Sequence, residues 1–183
     1  MLNTGLRTAE ALGLINSEIE LEMKVMHIQR GVKEAQKRDG TERKSGREIV
    51  VGKLKTASSK RIVPLNETAI QAIIELRNER YFGEDAPLIP DADGNFTRPL
   101  NLRKRFYSIL DAAEIEKKGL HSLRHTFATK LVTGVRAEDG TVKALTPRQV
   151  ADLLGHTTSE ITEMYYVKRN TDMLMGVSNG FEL

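Results

Sequence analysis

Six side chains in this sequence are of types that carry chemistry, and their neighbours set them apart from ordinary surface residues. Arg7 ends the run Thr4-Gly5-Leu6-Arg7 and lies three residues before Glu10. Lys55 closes Gly52-Lys53-Leu54-Lys55, and His121 stands three residues before Arg124. His156 ends Leu153-Leu154-Gly155-His156, and Tyr165 follows nine residues later, directly beside Tyr166. A guanidinium is planar and permanently charged, and it grips phosphate or carboxylate oxygens two at a time. A phenol with an unperturbed pKa of about 10 is a nucleophile at neutral pH only with help. Each residue also has a plain reading. Arg7 alone suits a surface arginine paired with Glu10, and a lone His-x-x-Arg is an exposed polar stripe. Lys55 fits a solubilising lysine at a hairpin end, His156 a helix-ending turn residue, and one of the two tyrosines a core residue. Taken singly, none is persuasive.

The elements that must position them are legible from periodicity. Thr8 to Leu14 reads as a short helix, and Glu22 to Gln29 alternates like a first strand through Met23, Val25 and Ile28. Val32 to Gly46, rich in charge and glycine, reads as a solvated loop or hairpin extension. Arg47 to Lys55 and Lys60 to Leu65 are β-prone runs around Thr56-Ala57-Ser58-Ser59, a hairpin signal. These runs predict a small three-stranded antiparallel sheet. Helices dominate afterwards. Asn66 caps one whose apolar face is Ala69, Ile70, Ile73, Ile74 and Leu76, ending near Tyr81. Asp91 to Gly94 is a turn. Leu100 to Ala113 repeats Leu102, Phe106, Ile109 and Leu110 at helical spacing, and His121 to Val132 packs through Leu123, Phe127 and Leu131. Ala137 to Lys143 reads as a polar loop. Thr146 caps a helix with Pro147 at its first position, running to Leu154, and a further helix carries Ile161, Met164 and Tyr165. The expected class is α+β, mainly helical with one small sheet.

Order along the chain changes the weight of the polar residues. Thr4 to Leu12 resembles the first arginine box of the tyrosine recombinases, the family of phage- and transposon-type integrases. Gly52 to Thr56 followed by Lys60-Arg61-Ile62-Val63-Pro64-Leu65 is similar to that family's lysine-bearing β-turn. His121-Ser122-Leu123-Arg124 resembles the second, His-x-x-Arg, box, and Leu153-Leu154-Gly155-His156 with Tyr165 the closing one. The resemblance covers nearly the whole chain and implies a DNA breaking-rejoining fold. It implies Arg7 and Arg124 as phosphate clamps, His121 and His156 as further donors to the same oxygens, and Tyr165 as nucleophile. In that scheme His121 also helps to take the tyrosine proton, Lys55 is the acid for the leaving 5′-oxygen, and Glu10 holds an arginine or histidine in position. Preorganised donors of this kind contribute roughly 3–4 kcal/mol each. Lys53 and Lys60 compete with Lys55, but the family's lysine sits just before the turn. Family spacing likewise favours Tyr165 over Tyr166. No metal or cofactor is implied, since the cationic cluster favours the phenolate and the phosphotyrosyl bond conserves the energy for religation.

Composition bounds the rest. At 183 residues and 39% hydrophobic, the chain has room for one core. It has no cysteine, which excludes a disulfide framework, thiolate metal sites and cysteine catalysis. Neither a long apolar run nor a signal-peptide pattern is present, so no membrane association and a cytoplasmic location are the default expectations. The net charge of +3 and pI near 9.1 lean mildly toward a polyanion. From the resemblance, residues 1–183 are expected to be a catalytic domain without the family's core-binding domain and leading helices. The expected partners are a double-stranded DNA attachment site and further copies of the chain, as a tetramer on DNA with 173–183 as a docking tail. Three rivals stand beside this reading. Thr146 to Ile161 also resembles a helix-turn-helix of a plain DNA-binding protein, a type IB topoisomerase shares the chemistry, and an inactive integrase fragment would keep the same residues. The decisive expectation is geometric: the two guanidiniums must meet.

Overall fold

The computed structural model describes residues 1–54, 60–136 and 141–155, apart from the side chains of residues 43, 44, 53, 135 and 136. The first helix, α1 (Thr8–Gly13), is short because Leu14 turns back to extended backbone. Its start is capped by an acid within its own first turn, as the Glu10 Oε2 accepts the Arg7 backbone N–H at 2.8 Å. Three strands follow on to form the main sheet: β1 (Ile19–Glu20), β2 (Val25–Ile28) and, much later, β5 (Arg61–Pro64), antiparallel in the order β1-β2-β5. Met26 lies opposite Val63 and Ile28 opposite Arg61. Alternation sends Met26, Ile28 and Val63 into the core, while Ile62 between them stays exposed.

The sheet departs from the sequence expectation in its pairing. The charged stretch after β2 is a long hairpin, β3 (Arg30–Asp39) against β4 (Glu42–Lys53), slipping register between Gln36 and Arg38. β4 therefore pairs with β3, not with the run after Thr56-Ala57-Ser58-Ser59, and the Glu22 to Gln29 segment is a strand only from Val25. Three strands and antiparallel order hold, as do two of the expected members, β2 and β5; β1 stands where the Arg47 to Lys55 run was expected. The hairpin's foot is tied to α1, where a Cβ on Gly13 would lie 2.9 Å from the Arg30 carbonyl oxygen.

The remaining helices are α2 (Glu67–Glu79), α3 (Pro99–Ala112), α4 (His121–Thr133) and α5 (Pro147–Leu154). Asn66 caps α2 through its Oδ1, which accepts the Ala69 N–H at 2.9 Å. Thr146 does the same for α5, with Gln149 reciprocating and Pro147 at the first position, and Gly155 ends that helix in the left-handed region. Leu110 is the buried residue of α3, whereas Ile109, expected on the apolar face, is 64% exposed. Leu123, Phe127 and Leu131 are half-buried, and it is Arg124 that α4 buries fully. Val135–Arg136 (β6) and Val142–Lys143 (β7) pair, so the last two residues of the expected polar loop are strand. The core lies between the sheet, α1 and α2: Leu6, Ala11, Leu14, Ile19, Met26, Ile28, Val63, Leu65, Ala69, Ile73 and Leu88. Among the described residues, no helix is long and apolar enough to cross a membrane.

Candidate active site

Three segments distant in sequence meet where the end of α5 approaches the start of α1. Gly5 makes this possible. Its φ is +63°, and a Cβ there would stand 2.6 Å from both the Phe127 ring of α4 and a Leu154 methyl of α5. The chain next to it carries Arg7 into the same corner. Arg124, buried on α4, donates from Nη1 to the Gly5 carbonyl at 2.6 Å and from Nη2 to the Leu154 carbonyl at 2.7 Å. Arg7 donates to the same Leu154 oxygen at 3.4 Å and to the Gly155 oxygen at 3.2 Å. The two guanidiniums therefore converge on one carbonyl. The C-terminal carbonyls of a helix lack intrahelical donors and carry partial negative charge, so they suit cations.

Glu10 joins the two arginines from below. Its Oε1 accepts from Arg7 Nη1 at 2.8 Å, and Arg124 Nη1 lies 3.8 Å from its Oε2. A third guanidinium, that of Arg61 on β5, faces the same carboxylate at 3.1 and 3.0 Å. Three cationic groups thus surround one anion, leaving an excess of positive charge. Burial works to raise the Glu10 carboxyl, but the hydrogen bond and charge of Arg61 and the two Arg7 contacts outweigh it and hold the group below the usual carboxylate range. Arg124 is pulled down to about 9, mainly by burial and then by Arg7, with Glu10 opposing; it remains protonated at neutral pH. His121 opens α4 one turn before Arg124, its ring edge-to-face with His125 at 5.0 Å between centroids. Burial, followed by the charges of His125, Arg124 and Arg7, pushes its imidazole below the ordinary value, so it is neutral at pH 7.

Arg7, Glu10 and Arg124 are thus brought together, with His121 beside them. Lys55, its competitor at 53 as a side chain, His156, Tyr165, Tyr166 and the 173–183 tail lie outside the described residues, as does the second half of the helix-turn-helix resemblance. Gly155, which precedes His156, is held against Arg7. Arg61 is the residue the sequence reading passed over. A signal was present: Arg61 and Val63 share one face of β5, with buried Leu65 just past its end, and a charge on a face that is otherwise core requires a buried partner.

Comparison with known proteins bears on the whole chain. Residues 1–172 match the model of the phage integrase family. The chain is 30% identical over 176 residues to a tyrosine recombinase XerC-like protein of Caldanaerobacter subterraneus subsp. tengcongensis, covering 89% of this chain and 42% of that one. It is 28% identical over 173 residues to tyrosine recombinase XerC of Chlorobaculum tepidum, covering 88% and 41%. The chain spans less than half the length of either relative. Its backbone is similar to that of the Tn1549 transposon integrase in complex with circular intermediate DNA, with a TM-score of 0.69 and 21% identity over 94% of this chain and 57% of that one. It is also similar to the XerA recombinase, with a TM-score of 0.60 and 22% identity over 90% and 48%. At these identities the two structures speak for the fold.

Proposed function

Because this chain belongs to the phage integrase family, we propose that it is the catalytic domain of a site-specific recombinase that cuts and rejoins double-stranded DNA through a phosphotyrosyl intermediate. In the proposed step, the Tyr165 phenolic oxygen attacks a backbone phosphorus and forms a 3′-phosphotyrosyl bond as the bond to the 5′-oxygen breaks. The phenol gives its proton to His121, which is neutral at pH 7 and able to accept it. Lys55 protonates the departing 5′-oxygen. Arg7 and Arg124, with His121 and His156, stabilise the charge that builds on the non-bridging oxygens. Glu10 keeps the guanidiniums in place. Attack by a 5′-hydroxyl on the phosphotyrosyl bond reverses each transfer, so no cofactor or net energy source enters the scheme. The natural partners in this reading are a DNA attachment site and further copies of the chain, in a tetramer working in the cytoplasm.

The observation that carries the proposal is the meeting of two guanidiniums, far apart in the sequence, on Leu154 and Glu10. The test is covalent trapping. A duplex nicked beside the cleavage position loses its 5′ fragment, so the chain should remain attached to DNA through SDS denaturation. Tyr165→Phe should abolish the adduct and Tyr166→Phe should leave it intact. DNA binding without any adduct from a randomised pool of nicked duplexes would favour a binding protein or inactive fragment instead.

A further inference from the structure

Strand β5 carries a cation on its core face that the reaction proposed above does not use. The Arg61 side chain is only 7% exposed. Its Nη1 and Nη2 meet the two Glu10 oxygens at 3.1 and 3.0 Å, and its Nε donates to the Leu153 carbonyl of α5 at 2.8 Å. We propose that Arg61 is a positioning residue for strand cleavage: without touching DNA, it clamps Glu10 and the last turn of α5 to the sheet and thereby fixes where Arg7 and Arg124 present their guanidiniums.

The connections account for the assignment. Glu10 Oε1 takes Arg7 Nη1 as well as Arg61 Nη1, and Oε2 takes the Arg7 backbone N–H as well as Arg61 Nη2. Held by Arg7 alone, the carboxylate would follow the movements of that half-exposed side chain. Arg61 supplies the fixed reference, because its backbone is locked opposite the buried Ile28 in the β2–β5 ladder. The last turn of α5 is held in the same way. Leu153 answers to Arg61, Leu154 to both Arg7 and Arg124, and Gly155 to Arg7. A displacement of Arg61 therefore reaches both phosphate-binding arginines by two routes. Its Nε, Nη1 and Nη2 are all engaged inside the protein, at the Leu153 carbonyl and the two Glu10 oxygens, which suits support. Lysine, a single point charge, cannot make the three contacts together.

The inference rests on the recombinase reading, and the test separates the two. Arg61→Lys, Arg61→Gln, Glu10→Gln and the double variant Glu10→Gln/Arg61→Gln are compared in the whole chain. The probe is a nicked duplex recovered from a randomised pool by the wild-type chain's own covalent capture. With Arg61→Lys, single-turnover adduct formation should fall about tenfold or more while the Kd for the duplex changes by less than about twofold. The double variant should be no slower than Glu10→Gln alone. In a carbon-13 NMR titration the Glu10 carboxyl, which faces only Arg7, Arg61 and Arg124 among the described charged groups, should titrate higher in Arg61→Lys than in wild type. Full cleavage by a folded Arg61→Lys, losses that multiply in the double variant, or an unmoved Glu10 titration would each overturn the clamp. Failure of the wild-type chain to capture any duplex would sink the recombinase reading, and the titration would still judge the clamp.

Discussion

A carboxylate whose side chain is 1% exposed keeps its charge only when donors enclose it, and Glu10 has the guanidiniums of Arg7 and Arg61 against it and that of Arg124 close by. Removing that charge leaves three cations crowded together with nothing between them. Glu10→Gln should therefore destabilise the chain by about 3–5 kcal/mol, the usual cost of stranding one side of a buried ion cluster, measured by chemical denaturation at pH 7. The pH dependence follows from the lowered folded-state value. A depressed carboxyl contributes stability that is fully present above its ordinary value of 4.5 and is lost as pH falls through the lower folded value. The gap between wild type and Glu10→Gln should thus narrow below that pH; a constant gap down to strong acid would contradict the assignment. The sequence announced Glu10 by its distance from Arg7 but not Arg61. Spacing within a helix reveals its own neighbours, whereas Arg61 earns its partner through the folding of β5 against β2, which no local window records.

At the level of elements, Gly5 is where the arginine corner is assembled. Its positive φ and the close approach of Phe127 and Leu154 leave no room for a side chain. Gly5→Ala should cost about 2–4 kcal/mol, the left-handed backbone and the overpacking adding together, and a thermal melt would register it; an unchanged Tm would mean that α4 and α5 do not press on this turn. The sequence showed such local determinants well. Asn66 and Thr146 cap the helices they precede, and Pro147 starts α5, because capping depends on three or four consecutive residues. Strand partnership was less legible. β4 is β-prone and is followed by turn-forming residues, so pairing with the next strand was the natural expectation, yet the charged run before it wins. Charge and glycine marked that run as solvated, and a hairpin with most of one strand in solvent looks the same. Ile109 misled for a related reason: helical period gives a stripe, and only tertiary packing decides which edge of the stripe is covered.

Across the whole molecule, Arg124 works as a tie. It bonds to Gly5 in the first turn of the chain and to Leu154 near the end of the described residues. α4 and α5 should therefore share their opening with α1 and the main sheet. Native-state hydrogen exchange should show amides of α1 and α5 released by the same opening, with the same denaturant dependence; faster, independent release of α5 would show that the tie is weak. The two arginines do not hold α5 equally. Arg124 holds Leu154 at 2.7 Å, with its other nitrogen on Gly5 and its side chain sealed, whereas Arg7 reaches Leu154 and Gly155 at 3.4 and 3.2 Å and is 36% exposed. Under the proposed reaction, an arriving phosphate would meet a vice with one jaw bolted to the bench and one on a screw. Only Arg7 would have slack to give up, so the fit would be adjusted from that side while the opposite side sets the register.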